Sequence, residues 1–269
     1  GVNAGYATAQ NGGNKWSYLY NYNNPGNMGA LDGSATTGYY SGSALNGISI
    51  GHNTKIQEDS DPTYYSGVAI GDYAQATGGL SFSIGNYAQS TKPSAMALGT
   101  ASLSSGFNSL AMMRQAAATG NFSTAIGTTS WASGTGSFAM GYSAQAKGDQ
   151  SIAIGAAEPI TVAGSGNEPS ASYNGATNTV TEGARSLAFG TKARTEAAAS
   201  DSMAFGSNAK TKAANTVAMG NSSRATATDA FAFGNTAYAT GANAIAMGRT
   251  AQARQLNAIA LGGQAKALE

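Results

Sequence analysis

Large apolar residues recur along this chain at a fixed distance, with small residues between them. The stretch Ser151 to Gly155 shows the unit: a small residue, a large apolar residue, alanine, a second large apolar residue and glycine. The pentad returns at a period of fourteen residues, with a few longer steps, and occurs in fourteen copies. A strict short period predicts a stacked repeat in which each unit buries its apolar side against the next. The function of such a chain is expected on a surface and not in a pocket.

One repeat, Tyr142 to Gly155, predicts two short strands separated by two turns. In the first strand, small and polar residues alternate. Ala144 and Ala146 are therefore expected to point inward, and Gln145 and Lys147 outward. This strand is predicted to face water.

The second strand is apolar on both sides, since Ala153 lies on one face and the pair Ile152 and Ile154 on the other. A strand that is apolar on both faces is buried on both, so one face is expected to meet another chain. We favour alanines in the interior of the coil and the large pair, like Phe231 and Phe233 in a later copy, against partner chains. The opposite assignment stays open.

The spacing of the repeat divides the chain into segments. Residues 1–46 lack the pentad and are predicted to form an irregular N-terminal cap, or an aromatic contact surface. Residues 47–267 are predicted to form one solenoid, with loop insertions at 52–66 and 156–183 where the period is broken. Residues 268–269 are interpreted as a possible remnant that is not part of the solenoid.

Composition supports a repetitive fold. The 269 residues include 37 glycines and only 10% charged residues, and there is no cysteine. Stacking and oligomerisation are therefore expected to hold the fold together without disulfides. No apolar run reaches the length of a membrane helix, so we expect no membrane contact by this segment. We also expect no nucleic acid partner.

Catalytic and metal chemistry is poorly supported. The chain has one histidine, His52, which follows a pentad directly and is interpreted as a turn residue. The acidic run Glu58 to Asp61 lacks a glycine-centred ligand series and is interpreted as a solvated loop. We therefore predict no enzymatic activity, no cofactor and no metal site.

Charge is uneven although the net charge is only +1. Residues 185–269 hold nine of the fourteen basic residues. In a parallel stack, equivalent residues lie about 4.8 Å apart, so Arg194, Lys210 and Arg224 are predicted neighbours, with Glu196 as the one nearby acid. Such a stripe favours an anionic ligand, or is an ordinary solvated face. The candidate ligand-binding residues are Arg194, Lys210, Lys212, Arg224, Arg254, Trp131 and Leu103; the candidate core or interface residues are Ile152, Ala153, Ile154, Phe231 and Phe233.

The pentad and the strand around Ala144 and Ala146 together resemble the head repeats of trimeric autotransporter adhesins, the YadA-like heads. The resemblance covers residues 47–267. It implies a left-handed parallel β-roll with three chains side by side as a trimer. It also implies display beyond the outer membrane of a Gram-negative bacterium, with no stalk or anchor in this segment.

The resemblance further implies attachment to host extracellular matrix, such as collagen, fibronectin or laminin, or to cell-surface receptors and glycans. The alternative is a structural or ice-binding solenoid without a host ligand. An ice-binding face needs a flat ladder of threonines, and one column near Thr77 and Thr226 suggests it. Lys147, Glu196 and Lys212 interrupt that column, which favours the adhesin.

Overall fold

The computed structural model describes residues 39–41, 46–57, 66–158 and 175–268, and it divides the chain into two compact units, Gly1–Ile126 and Gly127–Glu269. The strands of the first unit are β1 (Tyr39–Ser41), β2 (Asn46–Ile50), β3 (Lys55–Gln57), β4 (Ser66–Ile70), β5 (Gln75–Ala76), β6 (Ser81–Ile84), β7 (Gln89–Ser90), β8 (Met96–Leu98), β9 (Leu103–Ser104), β10 (Leu110–Met112), β11 (Ala117–Ala118) and β12 (Thr124–Ile126).

The second unit continues the same alternation of short strands. Its strands are β13 (Trp131–Ala132), β14 (Phe138–Met140), β15 (Gln145–Ala146), β16 (Ile152–Ile154), β17 (Val180–Thr181), β18 (Leu187–Phe189), β19 (Arg194–Thr195), β20 (Met203–Phe205), β21 (Lys210–Thr211), β22 (Val217–Met219), β23 (Arg224–Ala225), β24 (Phe231–Phe233), β25 (Tyr238–Ala239), β26 (Ile245–Met247), β27 (Gln252–Ala253), β28 (Ile259–Leu261) and β29 (Lys266–Ala267). A 3₁₀ helix, Gly175–Thr177, precedes β17.

Each unit is a parallel β-solenoid with two sheets. Even-numbered strands carry the pentads and pair in parallel with one another, as β16 does with β14 and β18. Odd-numbered strands form the second sheet, as β15 does with β13 and β17. The register follows the repeat, since Ala139 pairs with Ala153 and Ala153 with Ala188 across the longer step. The predicted all-β parallel solenoid is confirmed.

The interior of each coil is lined by alanine. Ala144, Ala146 and Ala153 are fully buried at 0% exposure, whereas Gln145 and Ile154 are half-buried and Ile152 is 40% exposed. Alanines therefore fill the coil, and the large residues of the pentad point outward. The favoured placement of the alanines inside the coil is confirmed, and contact of the large pair with partner chains stays a prediction.

Serine at the first position of the pentad has a role in closing the turn before it. The Ser151 hydroxyl donates a hydrogen bond to the carbonyl of Gly148 at 2.7 Å, and Ser123 and Ser186 make the equivalent bonds to Gly120 and Gly183. A buried carbonyl without a partner destabilises a fold. Serine fits this position because its side chain is short and its hydroxyl finds an acceptor inside the coil. The bond adds to one from the backbone, since the amide of Ser123 also donates to the Gly120 carbonyl, and alanine takes the position in copies such as Ala230.

Strands extend into both segments for which insertions were predicted. β3 lies within 52–66 and β17 lies within 156–183. Their inward positions hold Ile56 and Thr181, and both side chains are buried. Ile56 fits because it faces Gly67, where an added Cβ would lie 3.1 Å from the Ile56 side chain.

Of the predicted cap, the structure describes residues 39–41 and residue 46. Residues 39–41 form β1, which pairs in parallel with β3. The aromatic residues behind the predicted contact surface, Trp16, Tyr18, Tyr20 and Tyr22, lie outside the described residues.

The turn after each pentad brings two backbones into contact, and Gly141 illustrates it. Its φ is 118°, and a Cβ at this position would lie 2.2 Å from the carbonyl oxygen of Gly155 in the next coil. Side chains are disfavoured both by this dihedral angle and by the contact. Met113 occupies the same position of the repeat with a φ of 87°.

We expect Gly141→Ala to reduce stability by at least about 2 kcal/mol, because the added methyl group strains the dihedral and collides with the next coil. Gly263→Ala is the control, since no atom lies within 4 Å of the added Cβ, and it should stay within about 0.5 kcal/mol of the parent. Urea denaturation followed by circular dichroism measures both. Equal stability of the two variants would show that the stacked contact imposes no constraint.

Candidate functional site

The outward face of the odd-numbered strands in the second unit carries two columns of charged residues, here called the charged columns. The register places Arg194 beside Lys210 and Lys210 beside Arg224, as the period predicted. The first column runs through Gln145, Val180, Arg194, Lys210, Arg224, Tyr238, Gln252 and Lys266. Two residues farther along each coil, the second column contains Lys147, Glu182, Glu196, Lys212, Thr226, Thr240 and Arg254.

Two carboxylates neutralise part of these columns. Glu182 lies 3.2 Å from Arg194 and 3.4 Å from Lys147, and Glu196 lies 2.5 Å from Lys210. The expectation that Glu196 is the one nearby acid is therefore wrong. Glu182 was missed because it falls in the segment 156–183, which was interpreted as a loop and is in part a strand.

Partial burial alone raises the pKa of Glu196, but the hydrogen bond from Lys210 and the charges of Lys210, Lys212 and Arg194 outweigh it. The pKa of Glu196 consequently lies below its ordinary value. Glu196 is thus ionised at neutral pH and holds the two lysines on the same face.

The cations that keep an uncompensated charge lie beyond this cluster. Arg224 stacks over the Tyr238 ring, with 5.7 Å between its guanidinium carbon and the ring centroid. Arg254, two coils farther on, donates a hydrogen bond to Gln252 at 2.7 Å. Among the residues that the structure describes, no carboxylate lies within salt-bridge distance of Arg224 or Arg254. Lys212 is intermediate, since Glu196 is 3.9 Å away.

The two predicted apolar ligand contacts lie in separate units. Trp131, in β13, is 40% exposed, and the Lys147 ammonium lies 5.7 Å from its ring centroid. Leu103, in β9 of the first unit, is half-buried between Gln89 and Ala117. Each is accessible on the outward side of an odd-numbered strand.

The even-numbered strands present a second outward surface, here called the apolar face. It is formed by the first and third residues of the strands that follow the pattern Ile152, Ala153, Ile154. Phe231 is half-buried and Phe233 is 44% exposed, and Phe189 stacks on Phe205 with 4.9 Å between ring centroids. Rows of large side chains in contact with solvent are unusual for a monomer.

A cluster that sequence reasoning missed lies at a turn of the first unit. Tyr73 and Tyr87 stack with 5.0 Å between ring centroids and 2° between their planes. The His52 ring packs edge-on against Tyr73 at 5.4 Å. His52 is in a turn, as predicted. The sequence signal was available, because the two tyrosines occupy the same position of successive repeats.

Neither a metal centre nor a membrane helix is found in the described part of the chain. No group of three metal-ligating side chains is close enough to hold an ion there. Within the same residues, no helix has the length and apolar character needed to cross a bilayer.

We expect Glu196→Gln to lower stability at pH 7 by less than about 1 kcal/mol, because partly exposed ion pairs are screened by water. A carboxyl whose pKa is lowered by folding stabilises the fold above its ordinary pKa of 4.5, and this contribution disappears as the pH falls through the folded-state value. Melting temperatures of parent and variant should differ at neutral pH and converge as the pH falls well below 4.5. A difference that is the same at both pH values would contradict the ion-pair interpretation.

Comparisons with known proteins agree with the repeat. The sequence profile of the YadA head domain repeat matches residues 104–130, 118–144, 132–157, 197–223, 212–237 and 225–251. No curated protein matches the chain significantly. Among solved structures, the crystal structure of the collagen-binding domain of the Yersinia adhesin YadA is similar, at 22% sequence identity and a TM-score of 0.39, over 59% of this chain and 68% of that chain. The matched stretches include the pentads on β12, β14, β22 and β24 and the turns between them, and the chain therefore contains a YadA-like head domain built from YadA head domain repeats.

Proposed function

We propose that this chain is the head of a surface adhesin and that it works as a homotrimer. The observation that carries the proposal is the apolar face, on which large side chains such as Ile152 and Phe233 point outward from parallel strands. A coil whose interior holds alanines has no room for these side chains. Three copies placed side by side would cover the face by a closed symmetric arrangement. The YadA head repeats support both the trimer and display on the outer membrane of a Gram-negative bacterium.

We expect Ile152→Asp combined with Ile154→Asp to prevent assembly, because unpaired carboxylates are costly to bury in an apolar interface. The control is Gln145→Asp, a new carboxylate on the outward side of the other sheet. Sedimentation at micromolar concentration should show a trimer for the parent and the control. A monomeric parent, or a trimer that tolerates both aspartates, would refute the proposed assembly.

The partners we propose are extracellular matrix proteins of a host, with collagen, fibronectin and laminin as first candidates, or receptors and glycans on host cells. Support comes from the YadA head repeats and from the side chains exposed on the odd-numbered strands. An elongated partner could lie along the solenoid and contact several coils at once. Binding of the trimer to each immobilised matrix protein tests this proposal. Thermal hysteresis without any such binding would favour the ice-binding alternative.

Within this function, the charged columns are proposed to contact acidic groups of the partner. Arg224, Arg254 and Lys212 carry this role best, since Arg194 and Lys210 already face Glu182 and Glu196. Trp131 and Leu103 are proposed to add apolar contacts. A basic side chain without a carboxylate neighbour can bind a new anion without breaking an existing ion pair. A paired side chain must first give up that pair, so its contribution to the free energy of binding is smaller.

We expect Arg224→Gln with Arg254→Gln to weaken partner binding by at least about fivefold at low salt, which corresponds to about 1 kcal/mol. Arg194→Gln with Lys210→Gln removes the same amount of charge and serves as the matched control. It should weaken binding less, because those cations are already paired. Equal loss in the two double variants, or binding that does not respond to salt, would show that position within the columns has no role.

A further inference from the structure

The stacked pair Tyr73 and Tyr87 in the first unit is followed, in the next coil, by a position without a ring. Tyr73, Tyr87, Ala101 and Gln115 occupy equivalent turn positions of successive coils, with φ values of 58°, 60°, 55° and 56°. Their backbone amides each donate to a carbonyl of the preceding coil, at 2.8 to 2.9 Å. Since the backbone repeats, the side chains leave it in the same direction, one above another. The ladder of rings therefore stops at Ala101, which supplies a methyl group where an aromatic ring would continue the stack.

Tyr87 consequently has one covered ring face and one open ring face. Tyr73 covers the first face at a centroid distance of 5.0 Å. The second face looks along the stack over Ala101, and Tyr87 is 54% exposed. Gln115, which is also exposed, stands two coils from Tyr87, at about twice the strand spacing of 4.8 Å. The notch between Tyr87 and Gln115, with Ala101 as its floor, is therefore wide enough for one flat ring in contact with Tyr87.

Tyrosine is an unfavourable choice at these turn positions. Left-handed backbone conformation is unfavourable for residues that carry a side chain, and asparagine and aspartate tolerate it better than aromatic residues do. Asn208, Asn243 and Asn257 hold turn positions with a similar φ in the second unit. The stack of Tyr87 on Tyr73 offsets part of this cost, and it leaves one face of Tyr87 available to a further ring.

A row of polar side chains runs beside the notch. Asn86, Thr100 and Arg114 each precede a residue of the ladder and are exposed. The Asn86 side-chain oxygen accepts the amide proton of Asp72 at 3.1 Å, which directs its amide nitrogen away from that bond. Within the described ranges, nothing hydrogen-bonds the Asn86 amide nitrogen, the Thr100 hydroxyl or the Arg114 guanidinium. The notch thus combines an aromatic wall with donors and acceptors at its side.

We propose that this notch binds a single pyranose ring of a glycan. The C–H groups on one face of the sugar pack against the open face of Tyr87, and the ring hydroxyls bond to Asn86 and Thr100. A sugar ring suits the site better than an apolar side chain, because its two chemical characters match the aromatic wall and the polar row. Arg114 favours a sugar that carries a carboxylate over a neutral one. This inference deepens the proposed adhesin function and rests on it for the source of the ligand, a glycan of the host surface.

The test uses the trimeric head and four soluble probes, the methyl β-glycosides of glucose, galactose, N-acetylglucosamine and glucuronic acid. Saturation-transfer NMR and tyrosine fluorescence report contact with the rings. At least one glycoside should bind at millimolar concentration, with glucuronide the tightest, and with transfer from tyrosine ring protons to one face of the sugar. Failure of all four glycosides to bind would overturn the proposal.

Two variants are designed to remove the site while keeping the fold. Ala101→Tyr fills the notch by extending the stack, at the backbone cost that Tyr87 already meets, and Tyr87→Asn removes the wall with a residue that suits the turn. Each should weaken glycoside binding at least tenfold. Tyr87→Phe keeps the ring and Tyr73→Asn alters only the covered side, so both should bind within about threefold of the parent. Undiminished binding by Ala101→Tyr would overturn the proposal.

Adhesion to host cells, measured on the same proteins, separates this inference from the proposed function. If the parent adheres to cells and binds no glycoside, the glycan site is refuted and the adhesin proposal stands. If the parent binds a glycoside through Tyr87 and does not adhere to cells or matrix, the site stands and the adhesin proposal fails.

Discussion

The structure depends on the small side chains, mostly alanine, that fill the space between the two sheets of each coil. Because the inward positions hold methyl or hydroxyl-bearing side chains, as at Ala146 and Ser151, the two sheets of a coil approach more closely than sheets that interleave large residues. Burying a methyl group contributes only about 0.8 kcal/mol, so the alanines alone cannot hold the coils together. Regular hydrogen bonds between coils, repeated at every strand and turn, supply the cohesion that a conventional core would give.

The narrow interior also determines what the surfaces carry. A large apolar side chain fits inside where the facing residue is glycine, as for Ile56 opposite Gly67. Elsewhere such side chains point outward, which produces the apolar face through Ile152 and Phe233. That face needs a covering that the coil itself does not provide. The odd-numbered strands form the other outward surface, on which charged and polar residues predominate and to which the proposed function assigns partner binding. In the proposed function, assembly and recognition are therefore assigned to different strands of each coil.

The repeat period was enough to predict which strands pair and in which register. It was not enough where the position of a side chain depends on residues in other strands. The register that joins Arg194 to Lys210 follows from counting fourteen residues. Ile56 did not reveal an inward position, because it fits only through the missing side chain of Gly67, which lies in another strand. Glu182 was missed because it follows β17, which lies in the segment 156–183 that was interpreted as a loop. The period predicts that Tyr73 and Tyr87 lie next to each other in successive coils. The open face of the Tyr87 ring depends, in addition, on the small side chain of Ala101 in the next coil.

The turns give this scaffold its freedom to vary. Hydrogen bonds between coils at these corners use backbone atoms, as from Tyr87 to Asp72 and from Ala101 to Asn86, so they form with any side chain that tolerates the dihedral angle. A substitution at an exposed corner position such as Ala101 therefore changes the surface and leaves the stack intact, whereas one at the glycine of the same turn or at Ala153 disturbs the packing of coils or sheets. Recognition sites on such a solenoid are accordingly expected as short runs of matching residues in consecutive turns. The size of such a site is limited by how many neighbouring coils carry a matching residue. Tyrosine at two consecutive corners is compatible with the fold, because the backbone hydrogen bonds of the other coils are unaffected.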